Sequence, residues 1–212
     1  MKRDRVIFDL DGVLLDSETN LDWLDRALTR ALVELDLPLT RENMEKLYPG
    51  GLQDFETAVK DLPFSPEKIW KVRDKHYLAE KLEMIDRGEL RPFSDVTSLE
   101  RLQDDYSLGV ISNSPEVAVN RFIKAYNFED LFESWVGRSS ELNSLEEIKP
   151  DPALFQKLKG EVGDGKFWYV GDREVDKIFA ENTDMEFLHL TRNGEGFESL
   201  DELVDYLLEL AE

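Results

Sequence analysis

The apolar run VIF at residues 6–8 reads as one buried strand, yet residues 17–88 that follow it carry only helical patterns, and strand patterns resume beyond them. Three apolar side chains cannot bury themselves, so this strand has to pair with strands from the far side of the helical block. After RPFSD the chain alternates: a helix near residues 95–105, the strand LGVIS, a helix from Pro115 to Tyr126, the short strand SWVG, a helix after KPDP, the strand KFWYVGD, a helix, the strand EFLHL and a C-terminal helix. Strands alternating with helices imply an α/β fold, with a parallel sheet covered by helices on both faces. The expected organisation is a core of residues 1–16 and 89–212 interrupted by a helical cap of residues 17–88. Within the cap, residues 18–36 put Leu21, Leu24, Leu28, Leu32 and Leu35 on one helical face. Thr40 is a natural N-cap, Leu52, Phe55, Val59 and Leu62 suggest a further helix, and Ser65 with Pro66 opens a long helix that ends before Gly88.

In open parallel sheets, ligands bind outside the carboxyl ends of the strands. The residues that follow the strands here are Asp9 and Asp11, then Ser112 and Asn113, then Asp172: all small and polar or acidic. Two carboxylates bracketing a strand-end turn can divide a task, one acting on a substrate and the other managing protons. Mg²⁺ binds through one or two carboxylates plus a substrate phosphate, and Asp172 supplies a carboxylate from a second strand. Such a gathering of negative charge needs a cation beside it, and Lys149 in IKPDP is the candidate.

The stretches DLDGV, SNS, KPDP and GDREVD occur in the order and approximate spacing of the four motifs of the haloacid dehalogenase (HAD) superfamily. The helical insertion resembles that superfamily's cap of the phosphoglycolate phosphatase and β-phosphoglucomutase type. The resemblance covers nearly the whole chain and implies a Rossmann-like core. It implies that Asp9 is the nucleophile that becomes an aspartyl phosphate, and that Asp11 is the general acid and base. Mg²⁺ would be held by the Asp9 carboxylate, the Asp11 carbonyl and Asp172, with Asp176 in support. Ser112 and Lys149 would hold and neutralise the phosphoryl group, with Gly12 and Asn113 beside it. Gly50 and Gly51, in YPGGLQDF, fall where the family's cap has its specificity loop, and there a plain interhelix turn is the competing reading.

Asp11 at the second acidic position favours phosphoryl transfer over carbon–halogen or carbon–phosphorus cleavage. A Mg²⁺-dependent phosphatase acting on a small phosphorylated metabolite is the leading expectation. A phosphomutase of the β-phosphoglucomutase type has to grip a second phosphate, for which PGGLQDF offers Gln53 and no cation; Lys46 and Lys60 are the nearest basic residues. A non-catalytic binding protein of the same fold is the alternative of another class. Phosphoglycolate, small sugar phosphates, nucleotides and pyrophosphate all remain open as substrates. His76 and His189 are too few and too separated to form a ligand set, and Trp23 and Trp70 read as packing residues of the cap.

With 26 basic against 47 acidic residues, a formal charge of −21 repels phosphate backbones and anionic lipid, so neither nucleic acid nor membrane is expected as a partner. Dispersed acids of this kind fit either a surface adapted to molar salt or an ordinary acidic enzyme. The 41% hydrophobic content suffices for a real core, and a monomer or homodimer is expected. Without cysteine, and with no apolar window of signal or membrane-span length, the sequence reads as cytoplasmic.

Overall fold

The computed structural model describes residues 3–192 and 194–211, so residues 1, 2, 193 and 212 of the expected core lie outside the described residues. One sheet of five parallel strands has the order β3-β2-β1-β4-β5. The strands are β1 Asp4–Phe8, β2 Tyr106–Pro115, β3 Ser134–Arg138, β4 Phe167–Gly171 and β5 Glu186–His189. Because β1 lies at the centre, both of its faces are covered: Val6 and Phe8 join one apolar cluster, and Ile7 joins another. That is why its apolar run is unbroken rather than alternating. Phe8 is fully buried, and its truncation to alanine is expected to cost about 3–5 kcal/mol.

A helical insert follows β1: α1 Asp22–Glu34, α2 Arg41–Leu47, α3 Phe55–Val59 and α4 Pro66–Asp86. Its starts follow capping chemistry. The Thr40 hydroxyl accepts from Asn43 N at 3.2 Å, the Ser65 hydroxyl accepts from Lys68 N at 3.3 Å, and Pro66 sits in the first turn of α4. Leu24, Leu28, Leu32 and Leu35 are buried as the periodicity predicts, but Leu21 is exposed. The helix begins only at Asp22, whose N–H is held by the Asn20 side chain at 2.8 Å. The chain enters and leaves the insert through two segments that pair with each other: Asp16 N donates to Arg91 O at 2.9 Å, and Phe93 N donates to Leu14 O at 3.0 Å.

The second half winds helices α5 Glu116–Ala125, α6 Ala153–Val162, α7 Glu174–Asn182 and α8 Leu200–Ala211 around the sheet. The helix predicted near residues 95–105 is a 3-10 helix, Val96–Leu102. Val96, Leu99 and Leu102 are all buried, and with three residues per turn a three-residue spacing stacks them directly along one face. Among the described residues no helix is long and apolar enough to cross a membrane. From β2 the sheet grows outward to β3, and the chain then crosses to β4 on the other side of β1. This reversal opens a crevice at the carboxyl ends of β1 and β4.

Candidate active site

Asp9, immediately after β1, and Asp172, immediately after β4, face each other across that crevice, and Asp176 in the first turn of α7 joins them. Each offers a carboxylate oxygen within 4.8 Å of the others. Gly12 makes this approach possible: its φ is +82°, and a Cβ there would lie 2.5 Å from Asp172 Oδ2. Its N–H donates to Leu15 O at 3.0 Å.

Lys149 lies buried among these acids. Its ammonium donates to Asp9 Oδ2 at 2.9 Å, Asp176 Oδ1 at 2.6 Å and the Tyr169 hydroxyl at 2.8 Å. Burial alone would lower its pKa, but Asp176 and Asp9 together raise it. Three carboxylates against one ammonium still leave a formal excess of two negative charges. Burial, with Asp176 and Asp11 nearby, accordingly pushes Asp9 up to about 6 against the pull of Lys149. Burial and then Asp9 and Asp176 push Asp172 up to about 7.

The side chain of Asp11 turns away from this cluster. It accepts from Ser17 Oγ at 2.7 Å, from Ser114 Oγ at 2.6 Å and from Lys81 Nζ at 2.6 Å. Lys81 comes from α4 of the insert, is fully buried, and also donates to Ser114 Oγ at 2.7 Å. Burial would raise the Asp11 pKa, but Lys81 and the two hydroxyls outweigh it and hold the carboxyl down at about 2. Ser112 is buried nearby, its hydroxyl accepting from Ser114 N at 3.1 Å. Asn113 uses its whole amide on the Lys149 backbone: Oδ1 accepts from Lys149 N at 2.8 Å and Nδ2 donates to Lys149 O at 3.2 Å. An amide side chain matches the donor and acceptor of a peptide unit, so Asn113 fixes the turn that delivers Lys149.

Asp9, Asp11, Ser17, Ser112, Asn113, Ser114 and Lys149 line one cavity of 440 Å³, within the usual range for small-ligand sites. Gly50, Gly51 and Gln53 line it from the insert side. Gln53 Nε2 donates to Lys149 O at 3.2 Å. Neither Lys46 nor Lys60 lines the cavity; Lys46 pairs with Glu42 at 2.8 Å. The cations that do line the insert side are Arg73 of α4 and Arg138 at the end of β3. At the mouth, Arg173 forms an ion pair with Glu18. His76 pairs with Glu34 at 2.6 Å, and His189 Nε2 lies 3.4 Å from Asp172 O, so neither joins the carboxylate cluster. Trp23 and Trp70 are buried, and Trp23 also lines the cavity.

Residues 6–190 match the family model of haloacid dehalogenase-like hydrolases. The chain belongs to that family. A phosphoglycolate phosphatase of Mannheimia succiniciproducens is 30% identical over 197 residues, covering 87% of this chain and 84% of the relative. Among solved structures, CbbY from Rhodobacter sphaeroides in complex with phosphate superposes with a TM-score of 0.70 at 16% identity, over 95% of this chain and 96% of that one. A HAD-superfamily hydrolase of subfamily IA from Geobacter sulfurreducens superposes with a TM-score of 0.62 at 21% identity, over 97% of each chain. The helical insert after β1 is the cap arrangement of that subfamily, and the protein is a HAD hydrolase with phosphatases as relatives.

The carboxylate cluster fits the divalent metal on which HAD enzymes usually depend. Its donors are hard oxygens, its charge excess is two, and Asp172 Oδ1 is buried without a hydrogen-bond partner among the described residues. Asp9, Asp11, Ser112, Lys149, Asp172 and Asp176 were readable in the HAD motifs; Lys81, Ser17, Tyr169, Arg73 and Arg138 were not singled out. A signal for Lys81 and Arg73 was nonetheless present. In α4 they fall in phase with Ile69, Trp70, Tyr77, Met84 and Ile85, and charges on a buried helical stripe need partners.

Proposed function

We propose that the protein is a Mg²⁺-dependent phosphatase that hydrolyses a small phosphomonoester by way of a phosphorylated Asp9. The observation that carries this reading is the Asp9 carboxylate, paired with Lys149 at 2.9 Å on the wall of a cavity that Asp11 also lines. Asp9 attacks phosphorus, the ester P–O bond breaks, and the leaving oxygen takes a proton from Asp11. Asp11 then removes a proton from water, which attacks phosphorus, releases phosphate and restores Asp9. Lys149 and the Ser112 hydroxyl hold the phosphoryl oxygens. Asp9, Asp172 and the Asp11 carbonyl would hold Mg²⁺, with Asp176 in support, and the bound ion supplies neutralisation of the charge on the transferring group.

Asp11, kept ionised by Lys81, suits the water-activating half of this cycle. Protonating the leaving group requires Asp11 to carry a proton, which Lys81 opposes at 2.6 Å. In this reading residues 17–88 act as a movable cap, and withdrawal of α4 separates Lys81 from Asp11. The paired segments at Asp16 and Arg91–Ser94 are the hinges. Phosphoglycolate heads the substrate panel because curated relatives carry that name.

The test is phosphate release from a panel of small phosphomonoesters with Mg²⁺ or with EDTA. Metal-dependent release is expected from at least one ester, and silence across the panel contradicts the proposal. A phosphomutase is the second reading, favoured by the cations at Arg73 and Arg138, and it would yield an isomeric phosphate ester instead of free phosphate.

A further inference from the structure

Arg73, Asp74 and Arg138 are buried to 1%, 3% and 2% residual exposure, and the two arginines line the same cavity as Asp9 and Lys149. Asp74 serves both: it accepts from Arg73 Nη1 at 3.2 Å and from Arg138 Nη1 at 3.3 Å, with a second bond from Arg138 Nη2. Two guanidinium groups against one carboxylate leave a buried excess of one positive charge. Among the described residues Asp74 is the acid that acts most strongly on Arg73, and Arg138 opposes it. Arg73 Nη2 and Arg138 Nε are buried without hydrogen-bond partners among the described residues. Stacking fixes the pair in place: Arg73 lies 4.4 Å from the Tyr77 ring centroid and 5.1 Å from that of Trp70, and Arg138 lies 4.8 Å from that of Trp70. Rings orient a guanidinium but do not neutralise it. A buried, uncompensated and rigidly held cation beside a ligand cavity calls for an anion.

We propose that Arg73 and Arg138, bridged by Asp74, form a subsite that binds a second anionic group of the substrate, a carboxylate or a further phosphate, while the ester phosphate lies at Asp9. This rests on the phosphatase reading for the position of the reacting phosphate. It moves selection of the substrate's far end from the glycine loop at residues 50–51 to α4 and β3. Arg73 and Arg138 are then specificity residues.

The experiment compares kcat/KM for 2-phosphoglycolate, ethylene glycol bisphosphate and ethyl phosphate, which continue the same phosphoryl–O–CH₂ unit with a carboxylate, a CH₂–O–phosphate and a methyl group. The wild type is expected to prefer one of the two anionic esters over ethyl phosphate by about 100-fold. Whichever is preferred identifies the second anion. Arg73→Met and Arg138→Met are each expected to lower that preference at least about 10-fold, chiefly through KM. A purely structural role would depress all esters alike, so an unchanged ratio in a folded variant overturns the proposal, as does a wild type without preference. If the methionine variants do not fold, Arg73→Lys and Arg138→Lys keep the charge and lose the planar fork, and the same loss of preference is expected. Calorimetry with 3-phosphonopropionate, propane-1,3-bisphosphonate and propylphosphonate separates the two readings. Turnover of none of the esters would contradict the phosphatase, while tighter binding of either doubly anionic phosphonate, lost in Arg73→Met, would uphold the subsite and equal binding of all three would overturn it.

Discussion

The two sides of the cavity carry opposite imbalances. On the sheet side, three carboxylates surround one lysine, and the cluster lacks positive charge. On the insert side, two arginines share one aspartate, and the cluster lacks negative charge. Neither is a finished ion-pair network, and each specifies by its deficit what has to enter: a divalent cation at one end, an anionic group at the other. Between them, Asp11 and Lys81 form a balanced pair at 2.6 Å that joins the sheet side to α4. Buried charges left uncompensated in a fold are costly, so two opposite deficits around one cavity describe a ligand better than they describe stability.

The harshest way to break the contrast is to remove the charge that receives the phosphoryl group. Asp9→Asn is expected to lower turnover by at least about 10⁴-fold with the fold intact by circular dichroism. Next comes the metal end. Asp172→Asn should weaken Mg²⁺ binding at least about 10-fold by calorimetry, because it neutralises a carboxylate whose Oδ1 has no hydrogen-bond partner among the described residues.

The same deficit predicts a pH dependence. Asp9 and Asp172, raised from 3.8 to about 6 and about 7, favour the folded state when protonated, so their contribution is present below about pH 4 and is lost as pH rises through 6 to 7. Bound Mg²⁺ would relieve that loss, and the gain in Tm on adding it is expected to be larger at pH 8 than at pH 5. Asp11 runs the other way: lowered to about 2, it stabilises the fold above about pH 4 and loses that effect as pH falls toward 2.

Lys81→Met tests the link between the two sides. Turnover should fall about 10-fold, and the acidic limb of the pH–rate profile should move upward, because Asp11 loses the cation that holds it down. An unmoved limb would show that Lys81 does not govern Asp11. The smallest expected effect concerns the exposed surface. Molar KCl should raise Tm by screening a formal charge of −21, and a flat response would identify an ordinary acidic enzyme.

The sheet side was legible because each of its residues follows an apolar run, or stands in a turn with proline or glycine, so local pattern alone exposes Asp9, Ser112, Lys149 and Asp172. Their convergence follows from parallel topology. The insert side was harder to read because its partners are distant in sequence: Asp74 meets Arg138, and Lys81 meets Asp11. Among the many charged residues of α4, Arg73 and Lys81 differ from solvated neighbours such as Lys71 and Lys75 by their phase with the apolar stripe and by burial. The glycine loop carries no cation, and Lys46 and Lys60 are the basic residues nearest to it in sequence, whereas the cations reach the cavity from α4 and from β3. Helix starts at Thr40 and Ser65 were readable because capping is local, while the 3-10 helix Val96–Leu102 depends on what its face packs against.

The most direct test of the central claim follows the phosphoryl group itself. A ³²P-labelled ester that the protein turns over is mixed with it and acid-quenched at short times, alongside Asp9→Asn. The account predicts radiolabel on the wild-type protein, discharged by hydroxylamine as an acyl phosphate is, and neither label nor turnover in the variant. Turnover by Asp9→Asn at a rate near that of the wild type would contradict it.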